Sequence, residues 1–453
     1  MSSTQIIRLS TFTYINLVPQ IMGYWLVAVL PDILEHSLNV TDPQERTRVG
    51  SRFYISYFSG MIIGSLIWPT LIKYMSKRNS ILYAIILQGL FNYLCGQTTS
   101  LNLIYLFRFI MGGCQNLNTV GKDFIFEFAT DIYRQYAFSL RTLMSFIGAL
   151  ASPFLGYLIY SSVDGDFAKC LYVISCLYLV GIVLFILVFY VFYDKKDSAG
   201  DNKDKKVDAE VDEEERQLVA KTREELGEDY GKEPTGLMQM ITLCLKRPFL
   251  RDLVIVYALT GGVNRSIMFL LIFFLEASWD NNGFGISSMN VSFISLLSFI
   301  PASLIVIFSP KFVPSKIGYG TYIKFFILTV AISLIGIPIL RDLIPSQSSY
   351  LMILVYILQI ILLTTVPKVY SPFINYYLNK LVDKNSRTAL NSFTYLLSNI
   401  VAALTIWIVG IMFAWSMYSE NLGQWRTIGK YFSFLIIESY LIISYRLLSH
   451  FKD

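Results

Sequence analysis

Apolar residues occur in twelve long runs along this chain, six before and six after one charged hydrophilic stretch. Each run has enough residues to cross about 30 Å of hydrocarbon at about 1.5 Å per residue. A backbone in lipid must satisfy its own hydrogen bonds, so each run is predicted to be a helix. The pattern therefore predicts an all-α membrane protein with twelve transmembrane helices, called spans 1 to 12 below.

The bounds of the spans follow from where the apolar runs begin and end. Spans 1 to 6 are predicted at Thr11 to Leu34, Phe53 to Tyr74, Ser80 to Gln97, Leu101 to Phe128, Ser139 to Ser161 and Leu171 to Tyr193. Spans 7 to 12 are predicted at Asp252 to Leu275, Val291 to Phe312, Tyr322 to Leu340, Leu351 to Leu378, Leu390 to Ser416 and Tyr431 to Leu447. We therefore expect a six-helix bundle over residues 1–193, a linker over 194–249 and a second bundle over 250–453.

Composition agrees with this class, because 54% of the residues are hydrophobic and 15% are charged. A water-soluble domain carries about 25% charged residues. Residues Met1 to Leu9 lead straight into a span that is too long for the apolar region of a signal peptide. We expect the first helix to act as its own insertion signal.

Charge places the two ends of the chain and the central stretch on one side of the membrane. Thirteen Lys and Arg residues flank the spans on that side, against seven on the other, which predicts that both termini are cytosolic. The stretch from Asp194 to Glu233 holds fifteen acids and nine bases, and its apolar residues have no helical period. It is predicted to be a largely disordered tether, with regulation as the alternative, followed by a short amphipathic helix over Gly236 to Leu245.

No arrangement for catalysis or metal binding is present in the sequence. The five cysteines lack CxxC spacing and do not pair with either histidine, so they are predicted to be packing residues. Phosphate loops, dinucleotide fingerprints and Ser/His/Asp nucleophile arrangements are missing. We expect no enzyme activity, no cofactor, no metal and no nucleic-acid partner.

The two halves repeat weakly at an offset of 246 residues. At this offset Thr119-Val120-Gly121-Lys122 aligns with Thr365-Val366-Pro367-Lys368, and Arg141-Thr142 aligns with Arg387-Thr388. Two repeats of six spans imply a pseudo-twofold axis along the membrane normal.

Several motifs occur in order on the spans. Span 4 has Arg108 followed by Gly112-Gly113, span 5 has Gly148, Ser152-Pro153 and Gly156, and Lys77-Arg78 follows span 2. With these residues the chain resembles the major facilitator superfamily over nearly its whole length. Leu30-Pro31, Lys122, Glu127 and Ala137 to Leu140 resemble its drug:proton antiporter and zinc-induced-facilitator-like group.

One signature of the superfamily is eroded after span 2. Pro69, Lys73 and Ser76 stand where the family has Gly, an acidic residue and Gly. A lysine cannot accept a hydrogen bond, so the cytosolic salt bridge that this acid makes in the family is not expected here.

The resemblance implies a secondary transporter that moves a small organic solute between its two bundles by alternating access, with protons as the coupling ion. An ionisable side chain within a span is costly unless it is paired or wetted, and is therefore a functional candidate. The candidates for substrate binding are Arg265, Asn264, Lys122, Lys368, Asn16, Gln20 and Tyr24. The candidates for proton coupling or gating are Arg108, Glu127, Lys77, Arg78, Gly148, Pro153 and Pro367.

Each group of candidates also has a structural interpretation. Arg265 could form an internal ion pair, and Arg108 could be a structural arginine bonded to a neighbouring helix. Lys122 and Lys368 could snorkel to the interface. The polar face of span 1 could bond other helices, and Glu127 could pair with Arg141 or Lys77.

The few acids in the spans do not cancel the basic residues, so we expect an anionic or zwitterionic substrate. The alternative function is a sensor or a structural subunit of a membrane complex that retains the transporter fold without transport.

Overall fold

The computed structural model describes the chain in several stretches. These are residues 3–72, 74–115, 120–121, 124–125, 148, 152–192, 237–294, 297, 319–343, 354–355, 374, 378, 381–382, 384–418 and 425–448. The helices of the N-terminal half are Ser3–Tyr24, Leu26–Asp32, Pro43–Leu71, Lys77–Gly96, Leu101–Gly113, 152–162 and Phe167–Ile186. Those of the C-terminal half are Leu237–Lys246, Pro248–Glu276, 288–294, Tyr319–Leu343, Lys384–Tyr418 and Trp425–Leu447.

The described residues of the apolar runs are mostly helical, but most helices begin earlier than predicted, and the differences are largest at spans 1 and 2. Span 4 was predicted as one helix from Leu101 to Phe128, but its helix ends at Gly113, because paired glycines are poor helix formers. The span 1 helix begins at Ser3 and the span 2 helix at Pro43, eight and ten residues before the predicted starts. The apolar pattern marks only the part of a helix that crosses lipid, whereas the helix itself continues to its cap. At span 2 the Asp42 carboxylate accepts from the backbone N–H groups of Gln44 and Glu45.

Span 6 begins at a similar cap. The Asp166 carboxylate accepts from the backbone N–H of Lys169 at 3.2 Å, and Lys169 Nζ lies 3.3 Å from its second oxygen. The backbone hydrogen bond lowers the pKa of Asp166 below its ordinary value. At its other end, span 6 finishes in a π-helical turn at Leu187–Val191.

Four helices are long and apolar enough to cross a membrane within the described part of the chain: Phe167–Val191, Pro248–Glu276, Ile323–Leu343 and Ala389–Met417. Large apolar side chains on their outer faces are exposed, such as Ile332 at 66% and Phe325 at 63%. An apolar surface of this kind is stable in lipid rather than in water.

Helix contacts place spans 2, 7 and 11 at the junction of the two halves. Span 2 packs against span 4 in its own half and against span 11 in the other half. Span 11 also packs against span 7, and span 12 contacts spans 7, 9 and 11. The buried residues of both halves belong to one continuous apolar core.

Glycines allow the close approach of spans 2 and 4. A Cβ on Gly60 would lie 1.8 Å from the carbonyl oxygen of Phe109, and one on Gly112 would lie 2.0 Å from that of Tyr57. Trp68 Nε1 donates to the Gly113 carbonyl at 2.7 Å beside this contact. Small residues serve helix packing in membranes in this way.

The short helix predicted ahead of span 7 is present at Leu237–Lys246. Met240 and Cys244 are buried, whereas Leu245 is exposed. The helix contacts spans 7 and 11. The sequence prediction of a helix here is confirmed, and the structure adds its docking on the C-terminal half.

Candidate functional site

Arg265 lies near the middle of the span 7 helix and reaches span 11. Its Nη1 donates to Asn399 Oδ1 at 2.5 Å and to Ser398 Oγ at 3.3 Å. Both acceptors are neutral, so they orient the guanidinium without cancelling its charge.

Two aromatic rings flank the same guanidinium, one from each half of the protein. The guanidinium carbon lies 5.4 Å from the ring centre of Phe58 on span 2 and 5.5 Å from that of Tyr395 on span 11. These distances are within the range of cation–π attraction. Arg265 therefore lies where the N-terminal and C-terminal halves meet.

The charge of Arg265 is not paired with a carboxylate in the described residues. The ion pairs there join Arg46 to Glu35, Lys169 to Asp166, Arg251 to Asp252 and Lys430 to Asp342. The internal ion pair considered for Arg265 is absent from this part of the chain. A partly buried cation without a counter-ion attracts an anion, because burial of an unpaired charge is costly.

Gly261 and Gly262 bring span 11 close to Arg265. A Cβ on Gly261 would lie 2.3 Å from Ser398 Oγ, and one on Gly262 would lie 2.3 Å from Val401 Cγ1. The absence of these side chains places Ser398 beside the guanidinium. Asn264, the sequence neighbour of Arg265, is half-buried.

On one side of Arg265 the two halves are packed together. We call this side distal; it is the side on which span 2 begins and span 7 ends. The Tyr54 and Phe269 rings meet edge to face at 5.5 Å, and a Cβ on Gly50 would lie 2.6 Å from Phe273 Cζ. A Cβ on Gly410 would lie 2.7 Å from the Ser51 Cβ. The distal seal consists of these residues: Gly50, Ser51, Tyr54, Phe269, Phe273 and Gly410.

Arg108 lies inside the N-terminal half, away from Arg265. Its side chain is 3% exposed, and its guanidinium carbon is 5.4 Å from the Tyr57 ring centre. Its Nε is buried and has no hydrogen-bond partner in the part of the chain that the structure describes. The structure brings it to span 2 but not to the Arg265 site.

The motif residues on the opposite side make local contacts. Arg78 donates to the Phe189 carbonyl at 2.6 Å and lies 4.5 Å from the Tyr190 ring centre, which joins span 3 to the end of span 6. Its neighbour Lys77 is half-buried. On span 5, Gly148 and Pro153 are buried.

Polar side chains of span 1 bond helices. Asn16 Nδ2 donates to the Phe12 carbonyl of its own helix at 2.7 Å, and Tyr14 donates to the Leu177 carbonyl of span 6 at 3.1 Å. This agrees with helix bonding, the alternative considered for this face. The side chains of Gln20 and Tyr24 lie outside the described residues, as do Lys122, Glu127, Pro367 and Lys368.

Sequence reasoning missed five residues. Four are the partners of Arg265, namely Phe58, Tyr395, Ser398 and Asn399. A polar Ser-Asn pair in the middle of an apolar run was the available signal for two of them. The fifth is Glu276, the last residue of the span 7 helix, whose Oε1 is buried with no partner in the described stretches. No described group of three His, Cys, Asp or Glu residues could hold a metal ion.

Comparison with known proteins decides the family. The family model of the Major Facilitator Superfamily matches residues 13–428. The chain belongs to the major facilitator superfamily. Its members' fold of twelve transmembrane helices agrees with the helices described above, and the protein is an integral multi-pass membrane protein. A search of curated protein sequences gives no match at the significance required.

Solved structures share the fold of this superfamily member at low sequence identity. The D-xylose-proton symporter matches with a TM-score of 0.69 at 13% identity, covering 99% of this chain and 98% of its own. The nucleoside transporter NupG matches with 0.65 at 14%, covering 99% and 100%. A human organic anion transporter matches with 0.61 at 13%, also covering 99% and 100%.

Proposed function

We propose that this protein is a secondary active transporter that carries a small anionic or zwitterionic organic solute by alternating access. The observation that carries the proposal is the partly buried charge of Arg265 at the meeting of the two halves, which no carboxylate of the described residues pairs. A site between two six-helix bundles is exposed to either side in turn when the bundles, residues 1–193 and 250–453, rock against each other.

The names of the structural neighbours are consistent with this proposal. They include transporters of a nucleoside, of a sugar with protons and of organic anions. Of these, an anion is the solute that supplies a counter-charge for Arg265. We propose protons as the coupling ion, with Glu127 as the carrier, and both termini in the cytosol. The drug:proton antiporter group remains the proposed subgroup.

The experiment is transport by the purified full-length chain in liposomes, with and without a proton gradient. Radiolabelled organic anions should accumulate, and a pH indicator in the lumen should report proton movement in step with them. Arg265→Ala should lower uptake at least tenfold because the counter-charge is removed, while the protein remains folded in detergent. Arg48→Ala, the same change at an exposed arginine, should leave uptake unchanged.

Three outcomes contradict different parts of the proposal. Full transport by Arg265→Ala would show that Arg265 does not bind the substrate. No transport of any solute under any imposed gradient, together with copurification in a large membrane complex, would favour the sensor or structural-subunit function. Solute movement without proton movement would overturn the coupling alone.

A further inference from the structure

In the described part of the chain, the side-chain amide of Asn399, beside Arg265, makes a hydrogen bond through one of its two polar atoms only. The residue is fully buried, its Oδ1 accepts from Arg265 Nη1 at 2.5 Å, and its Nδ2 is buried with no hydrogen-bond partner among the described residues. Because arginine only donates hydrogen bonds, the amide oxygen must face it, and this settles the orientation of the amide. A buried donor without an acceptor costs about 1–3 kcal/mol, and an acceptor on a bound ligand would remove this cost.

The unused donor lies close to the guanidinium. Both amide atoms belong to one planar group, so Nδ2 lies within about 5 Å of Arg265 Nη1. Nη1 gives its two hydrogens to Asn399 and Ser398, so Nη2 and Nε are the guanidinium groups left to donate to a ligand. One of these N–H groups and the Asn399 amide N–H could each donate to one oxygen of a carboxylate. A charge-assisted hydrogen bond of this kind is about twice as strong as a neutral one.

The surroundings limit the charge of the ligand. Arg265 supplies one positive charge, and no carboxylate in the described residues pairs with it. Within the described residues Arg265 is the cation that contacts Ser398 and Asn399, so these residues would neutralise only one charge of a dianionic phosphate. The ammonium group of a zwitterion would lack an acidic partner next to the guanidinium.

The walls of the site limit the body of the ligand. Phe58 and Tyr395 flank the guanidinium, and the Tyr54–Phe269 ring pair begins the distal seal one helical turn away. Aromatic walls favour an apolar or aromatic body over a body rich in hydroxyl groups.

We propose that Arg265 and Asn399 together bind the carboxylate of a monoanionic solute, whose apolar body packs against Phe58 and Tyr395. This proposal rests on the transport function proposed above and narrows its substrate class. Asn399 is then a specificity-determining residue, because its Nδ2 receives an acceptor only when a carboxylate is bound.

The experiment measures binding and uptake of four probes with a common phenyl body: benzoate, phenyl phosphate, phenylalanine and benzyl alcohol. Benzoate should bind the purified full-length chain at least tenfold more tightly than the other three. Asn399→Leu should weaken benzoate binding at least tenfold and leave the other probes unchanged. Asn391→Leu, the same change about 12 Å earlier on the same helix, should leave all four unchanged.

Asn399→Asp is the second variant, in case the leucine variant does not fold. Its carboxylate should pair with Arg265 and remove benzoate binding. Unchanged benzoate binding by either folded variant overturns the proposal, as does failure of benzoate to bind at millimolar concentration. Uptake of phenyl phosphate that depends on Arg265 would overturn the carboxylate class. Such uptake of phenylalanine would overturn the restriction to monoanions, and both results would leave the transport function intact.

Discussion

The surroundings of each arginine in this protein decide what that residue can do. Arg341 donates to the Gly283 carbonyl at 2.7 Å and to the Trp279 carbonyl at 2.8 Å, and its guanidinium carbon lies 3.4 Å from the Trp279 ring centre. Arg265 has two neutral side-chain acceptors, Ser398 and Asn399, and lies where the two halves of the protein meet. The first arrangement holds a loop in place, whereas the second leaves a charge for a ligand.

Replacement of Arg341 by lysine tests this structural role. Lysine lacks the planar fork that reaches two carbonyls and stacks on a ring, so Arg341→Lys should lower the free energy of unfolding by about 1–3 kcal/mol. The measurement is denaturant unfolding in detergent. The reverse exchange, Lys324→Arg on the same helix, should change the free energy of unfolding by less than about 0.5 kcal/mol. Equal stability of Arg341→Lys and the unmodified protein would contradict the structural role.

At the scale of helices, glycines decide which spans can touch. Spans 2 and 4 approach so closely at Gly60 and Gly112 that neither position has space for a methyl group. Gly23 on span 1 differs, because a Cβ there would meet nothing within 4 Å. All three positions hold glycine, but only Gly23 has space for a larger residue.

Alanine at these glycines gives a matched pair of variants. Gly60→Ala should destabilise the protein by about 1–3 kcal/mol, because the new methyl group must displace the backbone of span 4. Gly23→Ala should keep or raise the stability, since alanine favours a helix over glycine. Thermal unfolding in detergent compares the two. If both variants unfold at the same temperature, the close contact of spans 2 and 4 is wrong.

For the whole molecule, the distal seal defines which side of the Arg265 site is closed. Its contacts step along spans 2 and 7 at intervals of four residues, from Phe58 and Arg265 through Tyr54 and Phe269 to Gly50 and Phe273. A transporter that works by alternating access must separate these residues once in every cycle.

A disulfide across the distal seal should therefore stop transport. Ser51→Cys combined with Gly410→Cys places two thiols on opposite halves, where a Cβ at Gly410 lies 2.7 Å from that of Ser51. A small shift brings this to the roughly 3.5–4.5 Å of a disulfide. Oxidation should abolish uptake and a reductant should restore it.

The exposed native thiol must be removed before this cross-linking experiment. Cys176 is the exposed native cysteine, so the pair is made with Cys176→Ser, and each single cysteine variant serves as a control. Continued uptake by fully cross-linked protein would show that the seal does not open during transport.

The sequence alone determined the class, the helices and the family of this protein. An apolar run of about 20 residues is favourable in lipid whatever its neighbours are, because transfer free energies add along the chain and the backbone must close its own hydrogen bonds. For the same reason Arg265 was recognisable as a functional candidate: an ionisable group in such a run is costly wherever the helix packs.

Only the tertiary structure decided what Arg265 meets. Phe58 and Asn399 are far from it in sequence and come to it through the rotation and close packing of spans 2, 7 and 11. That packing depends on which glycines face which neighbour, as at Gly261 and Ser398. The apolar pattern does not contain this information, because lipid and a neighbouring helix are equally apolar environments for most side chains.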